Sequence, residues 1–168
     1  MDRDSVEVFI EIPQGSRNKY EYDKVRRVFV LDRVLYSSVH YPTDYGFVPD
    51  TLADDGDPLD ALVIVQEPTS PGCVVPARPI GMLDMHDDKG TDEKVLAVPL
   101  GDPRFEGVNT LQDISPHWLR EIENFFLTYK TLEDRLTEVR GWCDVATAWE
   151  VIERYRAAFD RHQPRPGS

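Results

Sequence analysis

Apolar and polar positions alternate with a period of two near the start of the chain. Val6, Val8, Ile10 and Ile12 interleave with Glu7, Phe9 and Glu11, until Pro13 and the turn residues Gln14-Gly15-Ser16 end the run. This pattern predicts a strand with Glu11 on its less apolar face. Alternation resumes over 19–23, with Lys19, Glu21 and Asp23 on one side and Tyr20 and Tyr22 on the other. Residues 26–31 and 34–36 read as two further strands divided by Asp32-Arg33. Residues 61–65, small and branched throughout, predict a buried strand. Residues 74–85, interrupted by Pro76 and Pro79, and residues 94–99 complete a mostly β first hundred. The period then changes. Ser115 can cap and Pro116 can occupy the first helical position of a helix whose stripe is Leu119, Ile122, Phe126 and Tyr129. A second helix, capped by Asp144, carries Val145, Trp149, Ile152 and Phe159. Strands first and helices last predict an α+β fold, a compact barrel with two C-terminal helices packed outside.

The chain has 168 residues, a length for one domain spanning 1–168, with a frayed tail from His162 to Ser168. With 31 Asp and Glu against 19 Lys and Arg, the formal charge of −12 argues against nucleic acid or an anionic membrane surface as partner. An anionic substrate would have to arrive with metal. Cys73 and Cys143 read as small buried thiols of a reducing compartment. With no leader and no apolar run near the roughly 20 residues of a membrane span, the expected location is the cytoplasm.

Charge is concentrated in Asp55-Gly56-Asp57-Pro58-Leu59-Asp60, three carboxylates at the lip of a predicted buried strand. Like carboxylates repel, and desolvation disfavours their charged form, so a cation is needed beside them. Oxygen donors suit Mg²⁺, Mn²⁺ or Ca²⁺ better than zinc. Taken alone, an Asp-Gly-Asp is more often a surface turn. The helix-loop-helix calcium template fails, because counting from Asp55 its fifth and sixth places hold Leu59 and Asp60. Asp87-Asp88, Asp92 and Lys94 form a second acidic group, which by itself reads as a solvated turn. If the chain is extended from Asp92, then Asp92 and Lys94 point the same way. Lys19, Arg33, Lys94 and Lys130 each lie among Tyr, Asp or Glu, a mixture suited to a metal-phosphate complex, although any one of them alone is ordinary surface charge. His40, His86, His117 and His162 show no ligand spacing, and Trp118, Trp142 and Trp149 read as helix packing.

Asp55-Gly56-Asp57-Pro58-Leu59-Asp60-Ala61 resembles the signature of the soluble, family I inorganic pyrophosphatases, which are magnesium-dependent enzymes. Glu11-Ile12-Pro13, Lys19-Tyr20-Glu21, Tyr41-Pro42-Thr43-Asp44-Tyr45-Gly46-Phe47, the 87–94 stretch and Tyr129-Lys130 follow in family order. The resemblance implies a five-stranded closed barrel of oligonucleotide-binding topology and hydrolysis of diphosphate to two orthophosphates. Several Mg²⁺ ions are implied, with Mn²⁺ a possible substitute. By the same resemblance Asp55, Asp60 and Asp92 hold the ion that activates water, a second ion shares Asp60, and Asp87 and Asp92 hold an ion arriving with substrate. Glu11 and Glu21 act on the substrate side as ligands or beside them. Lys19, Arg33, Tyr45, Lys94, Tyr129 and Lys130 match phosphate contacts, and Asp57 matches the general base, a role given in some relatives to the position of Asp92. A homohexamer is implied by analogy. Two positions depart from the pattern: Asp88 replaces a Glu, and Glu133-Asp134-Arg135-Leu136 replaces a Gly-Lys loop. The alternatives are a non-catalytic divalent-cation-binding module and a metal-dependent nucleotide phosphohydrolase.

Overall fold

The structure is a computed structural model that describes residues 4–163. Nine strands and two α-helices are present among the described residues. The first strand, β1 (Val6–Ile12), follows its alternation, with Val6, Val8, Ile10 and Ile12 buried. A separate hairpin follows, β2 (Asn18–Asp23) with β3 (Val28–Val34). Here the pattern misleads. The strands expected at 26–31 and 34–36 are one strand through Asp32-Arg33 that ends at Val34: Asp32 is the extra residue between the pairs Tyr20–Leu31 and Lys19–Arg33, and it ion-pairs with Lys19 and Arg33. Arg26 and Arg27 belong to the turn, with Arg27 at φ 56° and the Asp23 side chain accepting from the Val25 and Arg26 N–H groups.

A strand not read from the pattern, β4 (Asp44–Val48), pairs with β1 on one side and β5 (Leu59–Val63) on the other. Its Tyr-Gly-Phe alternation is short, and Gly46 carries no side chain to mark a face. The glycine is required: a Cβ there would stand 1.8 Å from the Phe9 carbonyl oxygen across the β1–β4 pair. Next comes β6 (Val74–Asp87), unbroken by Pro76 and Pro79; its register with its neighbour shifts between Pro79 and Gly81, a bulge that absorbs the second proline. A two-residue strand, β7 (Gly90–Thr91), turns back on it, followed by β8 (Lys94–Pro99).

The pairings β1–β4, β4–β5, β5–β8, β8–β6 and β6–β1 close a ring of five strands. Within the ring the sequence order is first, second, third, fifth, fourth, and the third–fifth contact is parallel, the topology of the expected barrel. All five strands contribute to one core that includes Val8, Val48, Ala61, Ala77 and Ala97. The intervening residues, among them Leu62, Ile80, Leu96 and Val98, form a second core beneath helix α1 (Pro116–Thr128) through Ile122, Phe125 and Phe126. Strand β9 (Glu138–Cys143), also not read from sequence, extends β6. Helix α2 (Val145–His162) begins at the Asp144 cap and adds Ala148, Val151, Ile152 and Tyr155 to the first core. Tyr155 rather than Phe159 is the buried aromatic of its last turns. His162 ends this helix instead of opening a tail, and residues 164–168 lie outside those described.

Candidate active site

The parallel β5–β8 pair sets Asp60 beside Lys94. Lys94 is 1% exposed, and a lysine so buried needs acceptors. Its ammonium donates to Asp60 Oδ2 at 2.9 Å, Asp92 Oδ1 at 3.1 Å and the Tyr45 hydroxyl at 3.1 Å. It also lies 5.2 Å from the Tyr45 ring centroid and 5.0 Å from that of Phe126. Asp92 and Lys94 therefore do point the same way, with Asp92 in the extended link between β7 and β8. Burial pushes the Asp60 carboxyl up against the pull of Lys94. For Asp92 burial is the largest influence and acts upward, but the charge and hydrogen bond of Lys94, with a hydrogen bond from Asp60, hold it below the usual carboxylate range. Lys94 itself is held well above its ordinary value: burial opposes the charge, and Asp60, Tyr45 and Asp92 outweigh it.

The acidic turn forms one lip. Gly56 takes φ 87°, Ala53 N–H donates to the Asp57 carbonyl, and Asp55 Oδ1 accepts from Asp57 N–H at 3.0 Å. Asp55 and Asp57 are exposed. Glu11, across the opening, accepts from Tyr22 N–H at 2.8 Å, and burial raises it to about 7 despite that bond. Tyr129, at the end of α1, is buried against Phe125 and Phe126. Lys130 follows it, its pKa lowered by burial and by the nearby Lys94 charge. On β2, Lys19 pairs with Asp32 at 3.1 Å.

These groups surround a depression of about 460 Å³ whose lining includes every residue predicted for the site except Arg33. Arg33 lies on β3 outside that lining, with Nη1 2.8 Å from Asp32 and Nε 2.9 Å from Glu133 Oε1, the latter an ion pair without an aligned N–H. The Glu133 side chain is 9% exposed. Two lysines on the lining were not predicted, Lys24, which lies 5.2 Å over Phe47, and Lys89 in the Asp87–Gly90 turn. Each is adjacent to a predicted or conspicuous acidic segment, but only the turn geometry brings it to the rim.

The donor set is entirely oxygen, with carboxylates on four segments and neither His nor Cys on the lining, which fits a hard divalent ion. As they stand, no three acidic, His or Cys groups among the described residues converge on one point, since Lys94 sits between Asp60 and Asp92 while Asp55 bonds within its own turn.

A family model described as inorganic pyrophosphatase matches residues 8–160. The chain belongs to the inorganic pyrophosphatase family. An inorganic pyrophosphatase of Methanosarcina mazei is 60% identical over 155 residues, 92% of this chain and 90% of its own length. One from Synechocystis is 57% identical over 148 residues, 88% of each chain. The crystal structure of inorganic pyrophosphatase from Thermus thermophilus superposes with a TM-score of 0.91 at 42% identity, covering 95% of this chain and 93% of that one. The family's reaction is hydrolysis of diphosphate to two orthophosphates, and membership implies dependence on divalent metal. No helix among the described residues is long and apolar enough to cross a membrane.

Proposed function

We propose that the chain hydrolyses diphosphate by in-line attack of water in the depression between β5, β8 and the acidic turn, with Mg²⁺ as its ion. The supporting observation is the gathering of acids and cations around one opening: Asp55, Asp57, Asp60, Asp87 and Asp92 with Lys19, Lys94 and Lys130. Asp55, Asp60, Asp87 and Asp92 would hold the ions, and Glu11 and Glu21 would serve toward the substrate. When bound, such ions acidify water and offset the charge of the tetra-anionic substrate.

The chain's own groups do the rest. Lys94, oriented by three acceptors, presents fixed positive charge where charge builds on the phosphoryl group. Tyr45 and Tyr129 keep their protons, because burial drives both well above the ordinary tyrosine value, and so can donate to phosphate oxygens. Lys19, Lys130 and, on moving from Asp32 and Glu133, Arg33 neutralise the leaving phosphate. Asp57 takes the proton of the attacking water. The free thiols of Cys73 and Cys143 support the cytoplasm as location, and a homohexamer is the assembly to be tested by light scattering.

The deciding experiment measures phosphate release from diphosphate and from ATP with Mg²⁺. Release from diphosphate alone is expected. Release from ATP at a similar rate would make the chain a nucleotide phosphohydrolase, and release from neither a cation-binding module.

A further inference from the structure

Helix α2 reaches both walls of the depression through one residue. The Tyr155 hydroxyl donates to Glu93 Oε2 at 2.8 Å, and the Tyr155 carbonyl accepts from Leu52 N–H at 3.0 Å. Glu93 is the residue between Asp92 and Lys94, on the opposite face of the extended chain. Its side chain is 11% exposed and also meets Arg154 Nη2 at 3.3 and 3.4 Å. Leu52 leads into the acidic turn, which closes on itself through Ala53 and Asp57. Tyr155 is 4% exposed, and with Asp55, Asp60 and Asp92 it lines a small cavity of about 50 Å³ behind the acids.

We infer that Tyr155 is a positioning residue that fixes the spacing between the Asp55 turn and the Asp92 link, and thereby sets the affinity of the site for its divalent ion. The inference rests on the assignment of Asp55, Asp60 and Asp92 as ligands. Its physical basis is that the two walls belong to segments 37 residues apart in sequence, counted from Asp55 to Asp92, so their spacing must come from a third element. Strand pairing fixes Asp60 against Lys94, but the Asp55 turn lies outside every strand. Tyr155 supplies the missing link with one side-chain and one backbone bond. Groups that orient metal ligands from behind typically change affinity by about 10- to 100-fold when lost.

The test is calorimetric titration of Mg²⁺ into the full chain, without substrate, for the wild type and five variants. Tyr155→Phe keeps the ring in its core and removes the hydroxyl, and is expected to weaken the first Mg²⁺ about tenfold. Glu93→Leu should weaken it similarly. The Tyr155→Phe/Glu93→Leu double variant should be no weaker than either, since the two act as one connection. Glu93→Gln, which keeps an acceptor for the hydroxyl and a soluble side chain at the same place, should stay close to wild type. Asp92→Asn tests the ligand assignment separately. Wild-type affinity in Tyr155→Phe beside a weakened Asp92→Asn overturns the brace alone, as does full additivity in the double variant. Unchanged affinity in Asp92→Asn overturns the ligand assignment and the brace with it.

Discussion

A general base needs a carboxylate oxygen open to water, and Asp57 and Asp92 differ in just this respect. Asp92 Oδ1 is engaged by Lys94, whereas the exposed Asp57 carboxylate accepts no hydrogen bond among the described residues. Asp57→Asn is expected to cut kcat severely, leave the first metal affinity nearly unchanged and recover in part at high pH, where hydroxide replaces the base. Asp92→Asn should weaken metal binding as well as rate. The measurement is kcat against pH at saturating Mg²⁺ with separate metal titration, and the opposite pattern exchanges the two roles. Arg33→Ala should lower kcat/KM by about 10²–10³-fold, the usual loss for one charge-stabilising donor. Wild-type kcat/KM would mean that Arg33 stays with Asp32 and Glu133 throughout. Glu11 provides a third prediction. Its folded pKa of about 7 exceeds the ordinary 4.5, so the folded state binds its proton more tightly than the unfolded chain. The contribution of Glu11 to stability without metal is therefore fully present below about 4.5 and is lost as pH rises through about 7. Glu11→Gln should flatten that decline in urea midpoints taken with chelator present, leaving the smaller part due to Asp60. An unchanged slope would place the proton elsewhere.

At the scale of elements, the pairings that close the ring carry the site. Gly46 allows β1 and β4 to approach, so that Tyr45 on β4 meets Lys94 on β8 across β5. Gly46→Ala brings a methyl group onto the Phe9 carbonyl, backbone that cannot rotate away, and should cost at least the ~1–3 kcal/mol typical of overpacking. Chemical denaturation checks this; a stability equal to wild type would mean that β1 and β4 separate freely. Helix α2 starts where Asp144 Oδ1 accepts from Thr147 N–H at 3.0 Å, and its tight turn on the chain was readable as a cap. The turn into β3 was not. An Arg at positive φ leaves no mark in the hydropathy pattern, and the ion-paired Asp32 and Arg33 at a bulge broke the apolar run of a strand that is continuous.

For the molecule as a whole, a charge of −12 carries its own consequence. Seven of its acids line one opening, so divalent ions there relieve repulsion as well as serve the reaction. Exhaustive chelation should abolish phosphate release, and restoring Mg²⁺ should recover it; full turnover after chelation would refute the metal requirement. Calcium should bind yet support little turnover, because its looser coordination does not hold the strict octahedral geometry that Mg²⁺ imposes. Sustained turnover with Ca²⁺ alone would count against that reason.

The sequence by itself determined the strands whose side chains alternate cleanly, the two helices with their Ser115 and Asp144 caps, and the acidic turn. These are local matters: a period, a cap and a Gly-Pro turn are written within a few residues of one another. Resemblance along nearly the whole chain indicated the ring of five strands. Only the tertiary structure decided which charges meet. The burial of Lys94 among Asp60, Asp92 and Tyr45 depends on a parallel pairing that brings Asp60 beside Lys94, 34 positions apart in sequence. Strands β4 and β9 were hidden because one is too short and glycine-bearing, and the other is half-buried at the edge of β6. The pairing of Arg33 with Glu133 and the reach of Tyr155 to Glu93 were likewise invisible, since each joins residues from distant segments whose own surroundings give no sign of a partner.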